Sequence, residues 1–94
     1  MSAIKPERLT LEAEIKADIA TMSDIAEVSL RTLCQYQSLL VTMRRENHPC
    51  PRWARQRLLF ECREARTAYQ EASETIAIER QELVELRLDR EGRA

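Results

Sequence analysis

Arg44-Arg45-Glu46-Asn47-His48-Pro49-Cys50-Pro51-Arg52 lies at the middle of this 94-residue chain and holds two of its three prolines. A proline ring removes a backbone donor and clashes with the preceding helical turn, so a helix ends or kinks where it stands. Outward from this segment, in both directions, run about 40 residues without Gly or Pro; Pro6 lies at one far end and the single glycine, Gly92, at the other. The breakers therefore mark out an all-α chain: a helix over about 6–46, a turn at 47–50, and a second helix over about 51–91. Pro51 suits the first helical position with Cys50 as a poor N-cap, and Gly92 suits the C-terminal cap.

The rest of the composition agrees. Charged residues make up 33% and hydrophobic residues 44%, with only four aromatics (Tyr36, Trp53, Phe60, Tyr69), a mix typical of long helices and coiled coils. The length allows at most one domain. No apolar run approaches the ~20 residues that span a bilayer, and the stretch from Met1 to Pro6 has no apolar run of the signal-peptide kind. Neither a membrane nor export is expected. Three cysteines, an odd number without framework spacing, suit a reduced cytoplasmic setting. Thirteen of the fifteen basic residues are Arg, which suits a GC-rich bacterial genome.

Within each arm the apolar residues recur at alternating spacings of four and three, the a and d positions of a heptad. The first stripe is Ile15, Ile19, Met22, Ala26, Ser29, Leu33, Tyr36, Leu40 and Met43; the second is Leu58, Cys62, Ala65, Tyr69, Ala72, Ile76, Glu79, Leu83 and Leu86. Folding the chain about Pro49 sets the two stripes against each other, only their end residues Met43 and Leu86 meeting Arg55 and Glu12 instead: Leu40 with Leu58, Tyr36 with Cys62, Leu33 with Ala65, Ser29 with Tyr69, Met22 with Ile76, Ile15 with Leu83. In three of these layers, Tyr36–Cys62, Leu33–Ala65 and Ser29–Tyr69, a large residue faces a small one, which is how close-packed layers fill their volume. The fold predicted is an antiparallel helical hairpin. Near its open end two carboxylates fall on the seam, Glu79 opposite Ile19 and Glu12 opposite Leu86. A carboxylate buried alone is costly, so this end should splay or recruit Lys16, Arg80 or Arg87, leaving the turn half better packed.

One stripe per helix is a small core for a chain of this length, so completion to a bundle, by dimerisation or by a helical partner, is expected. Apolar residues outside the stripes supply a surface for that: Leu11, Ile25, Leu30 and Leu39 flank the first stripe and Leu59 the second. Cys34, Val41, Trp53 and Phe60 lie further out. Most of this surplus falls in the turn half, so Leu30, Leu39, Val41, Trp53, Leu59 and Phe60 are the candidate partner-binding residues. Residues 31–57 carry six Arg against one Glu, whereas residues 1–30 carry three basic and six acidic side chains and residues 58–94 six and nine. Folded, the turn end is positive and the open end negative, a field able to orient an encounter.

Arg44, Arg45, Arg52, Arg55 and Arg57 beside Trp53 also form a basic patch with an aromatic, suited to phosphate contact and base stacking. A dimeric four-helix bundle that binds nucleic acid through this patch, as the plasmid protein Rop binds RNA, is the alternative function. The net charge of −1 and the acidic arms weigh against it. His48 and Cys50 lack a second ligand pair, Cys34 and Cys62 point apart, and no acid, base or nucleophile is paired around the lone His. No metal, cofactor, small-molecule substrate or catalytic activity is expected.

Cys50-Pro51-Arg52-Trp53, with the Gln/Arg/Ala-rich amphipathic helix that follows, resembles the turn and second helix of the YscE-like proteins, small helical-hairpin co-chaperones of bacterial type III secretion. The resemblance covers roughly residues 44–75; the first helix here is longer and the second arm is long and charged. It implies a chaperone or adaptor whose apolar face docks a helical-repeat partner.

Overall fold

The computed structural model describes residues 6–47 and 49–92. Two helices of 40 residues each, α1 (Pro6–Arg45) and α2 (Arg52–Glu91), fold back on one another as an antiparallel hairpin. It is a rod of 72 × 17 × 13 Å with a radius of gyration of 20.7 Å. A compact domain of this length would have a radius of about 12 Å. At 1.5 Å per residue each helix is about 60 Å long, so the shape follows directly from the missing breakers.

The turn is built from local chemistry. The Glu46 amide donates to the Thr42 carbonyl at 2.9 Å, closing the last turn of α1, and Asn47 then takes φ 53°. Asn is the residue other than Gly that most readily occupies this left-handed C-terminal position. Pro51 has an extended ψ of 143° and is the N-cap, its carbonyl accepting from the Arg55 amide at 3.1 Å. The cap therefore lies one residue later than the sequence suggests, and α2 starts at Arg52: Pro51 supplies its carbonyl while its missing N–H costs nothing. Gly92 does close α2, donating to the Leu88 carbonyl at 2.8 Å, but in a right-handed conformation open to any residue.

Every stripe residue is buried or half-buried except Tyr69, which faces the small Ser29 and leaves 36% of its surface in water. The most buried side chains are Ile15, Ser29, Cys62, Ala65 and Ala72: Ile15 lies near the open end, Ala72 at the middle of the rod, and Ser29, Cys62 and Ala65 in the turn half. Small residues let the helices approach there. At the turn the connection holds the arms apart around a cleft of about 280 Å³ lined by Leu40, Met43, Arg44, Asn47, Cys50, Arg55 and Leu59.

Candidate functional site

The open end is held by charge. Glu12, its side chain only 15% exposed, lies 3.6 Å from Lys16 Nζ, 3.5 Å from Arg90 Nη1 and 3.9 Å from Arg87 Nε. Two of these cations reach it from the opposite helix, so this seam carboxylate is neutralised where it sits. Glu79 behaves differently. Its neighbour is another acid, Asp18, across the seam, whereas Lys16 and Arg87 are turned to Glu12. The hydrogen bond with Asp18, burial, and repulsion from Asp18 and Glu82 push the Glu79 carboxyl up to about 7. One of its oxygens, Oε2, is buried without a hydrogen-bond partner.

The turn end carries the residues singled out in the sequence. Arg44 and Arg55 converge on the cleft beside Leu40, Met43 and Leu59, because the seam ends there and Arg55 occupies its last position. Arg57 is tied to Glu61 of its own helix, Nε donating to Oε1 at 3.1 Å. Arg45 and Arg52 are exposed. All six candidate partner-binding residues are exposed, with Trp53 at 73% and Phe60 at 53%. They do not share one face. Trp53 and Phe60 lie on the back of α2, with Leu59 round the same helix towards the cleft; Val41 lies on the back of α1. Leu30 and Leu59 belong to one lateral flank of the hairpin and Leu39 to the other. The α2 trio is therefore the coherent part of the patch.

Apolar exposure also runs beyond the turn half. Val28, Ile78, Val84 and Leu88 are exposed on outward positions toward the open end, and Leu11 and Ile25 on a flank. Their heptad positions were readable, since each falls off the a/d stripe. Among the described residues no three His, Cys, Asp or Glu side chains come together as a ligand set; His48 lies outside those residues, so its pairing with Cys50 is not placed. Cys34 is exposed, Cys62 buried, and both are free. Among the described residues no helix is long and apolar enough to cross a membrane.

No family model matches the chain, and neither a curated protein nor a solved structure matches it.

Proposed function

We propose that this hairpin is a non-catalytic protein-interaction module, an adaptor or chaperone that binds a helical partner through the turn-end face of α2. The observation that carries this reading is the exposure of Trp53 and Phe60, seven residues apart on one helical row, with Leu59 and the arginines of the turn beside them. Large aromatics bordered by Arg are the residues that dominate binding energy at protein interfaces, and leaving them in water has no benefit for the hairpin itself. A partner would lay a helix across Trp53, Leu59 and Phe60 and set acidic side chains against Arg44, Arg52 and Arg55. The resemblance to the secretion co-chaperones of the YscE type points to the same kind of use.

Trp53→Ala and Phe60→Asp should each weaken co-purification with proteins co-expressed from neighbouring genes by at least about tenfold, or 1.4 kcal/mol, while circular dichroism stays helical. Capture by both variants at the wild-type level overturns this face. Nucleic-acid binding through the same arginines is the second reading, supported by the Arg44–Arg55 cleft. It requires salt-dependent binding of single-stranded RNA by the wild-type chain.

A further inference from the structure

The two lateral flanks of the hairpin differ in charge completely. In an antiparallel pair of helices the heptad g positions of both lie along one flank and the e positions along the other. Within the helices one flank carries Asp18, Glu61, Glu82 and Asp89 and no Lys or Arg; the other carries Lys16, Arg44, Arg52, Arg66, Arg80 and Arg87 and no Asp or Glu. The geometry agrees with this assignment. Leu11 lines hollows with Asp18 and Glu79 and with Glu82 and Asp89 on the acidic side, whereas Arg44, Arg55 and Leu59 meet on the other. Each flank also exposes aliphatic side chains, Leu11, Ile25 and Leu39 on the acidic one and Leu30 and Leu59 on the basic one.

We propose that copies of this chain associate side by side, the acidic flank of one docking on the basic flank of the next. One observation favours a second copy over another occupant, and two more show that these flanks have surface and charge left to satisfy. The complementary surfaces are both on this chain and run most of its length, so the pairing survives either relative direction of the rods. The exposed surface, 7574 Å², exceeds the about 5,600 Å² of a compact chain of 11.0 kDa. That surplus is larger than the about 1,600 Å² a standard interface buries in total. Finally, the acidic flank holds an internal mismatch, Glu79 against Asp18 with one buried oxygen unpartnered, which an incoming Arg or Lys would relieve. Two like flanks repel, so a two-fold dimer through either is disfavoured. The contact is heterologous: each added copy presents a fresh flank, and assembly continues unless a ring closes. Arg44, Arg52 and Leu59 belong both to the basic flank and to the turn-end face, but Trp53 and Phe60 lie off the flanks, and the inference goes beyond the turn-end face along the rest of the rod.

Analytical ultracentrifugation of the full chain tests it. The wild type should show masses above two chains that grow with concentration at low salt and fall toward the monomer in about 1 M salt, where the screening length is about 3 Å. Arg66→Glu with Arg80→Glu blocks the basic flank, and Glu61→Lys with Glu82→Lys blocks the acidic one. Each double variant alone should be monomeric, and an equimolar mixture should assemble again in alternating order, because the intact acidic and basic flanks pair and the two reversed flanks complement each other. Circular dichroism checks that both are helical; if a reversal unfolds the chain, the Gln versions replace it. Trp53→Ala should assemble as the wild type does, which separates failure here from failure of the turn-end face. A wild-type monomer at all concentrations, a closed dimer insensitive to salt, or blocked variants that do not pair on mixing overturns the proposal. So does a monomer whose basic flank binds single-stranded RNA.

Discussion

Glu79 and Glu12 show how much one neighbour matters. Both are carboxylates on the seam and both were legible as such from heptad position, but their partners were not. Arg87 and Arg90 reach Glu12 because α2 continues a full turn past Leu86, whereas the residue that reaches Glu79 is Asp18, on a flank that holds no base. Periodicity names the layer; which neighbouring side chain bends into it depends on rotamers that periodicity does not encode. A carboxyl raised from 4.5 to about 7 binds its proton more tightly folded than unfolded. The stability that this group contributes is therefore fullest below about 4.5, declines as pH rises to about 7, and is flat above. Thermal melts across that range should show the midpoint of the wild type falling. In Glu79→Gln the slope should flatten and the midpoint at the alkaline end rise, since an amide can donate to Asp18 without a charge. An unchanged slope would show that the pair does not couple to folding.

At the level of the helices, the stripe and its register were readable because a/d spacing and the central prolines are properties of the chain alone. The packing gradient was not. The seam carboxylates of the open end favoured the turn half, and Ser29, Cys62 and Ala65 are buried there, yet Ala72 at the middle is the most buried residue at 3% exposure and the turn itself opens into a cleft. Small residues bring helix backbones together, and a short connection with its own left-handed Asn47 keeps them apart; bulk alone predicts neither. Ala72→Leu should wedge the arms at the most buried position of the seam and cost about 1–3 kcal/mol in chemical denaturation. A neutral or stabilising result would mean that the Ala26–Ala72 layer has room to spare. The same wheel positions that revealed the seam also held the charge division of the flanks, which appears only when e and g are sorted by the side of the hairpin they occupy.

For the whole molecule, a rod this thin keeps almost every side chain within reach of water. Among the described residues no large side chain is fully buried, so the hairpin is held by many half-buried layers and by surface ion pairs such as Arg31–Glu27 at 2.8 Å, worth a few tenths of a kcal/mol each. Such a body has little rigidity of its own and much surface to give to neighbours. The placement of the turn at the midpoint has a further consequence, for the order in which the chain comes apart. Leu40 and Leu58 close a loop of 18 residues, Glu12 and Leu86 one of 74. The entropy of closure rises only logarithmically, by about 1 kcal/mol across that range. Even so, every outer layer depends on the ones inside it, as the teeth of a zip do. Amide hydrogen exchange should slow progressively from the open end inward, so that amides around Ser29 and Ala72 outlast those around Glu12 and Leu86. The midpoint turn thus sets the direction of opening: the acidic ends part first, and the arginine-lined bend is the last point at which the two arms remain joined.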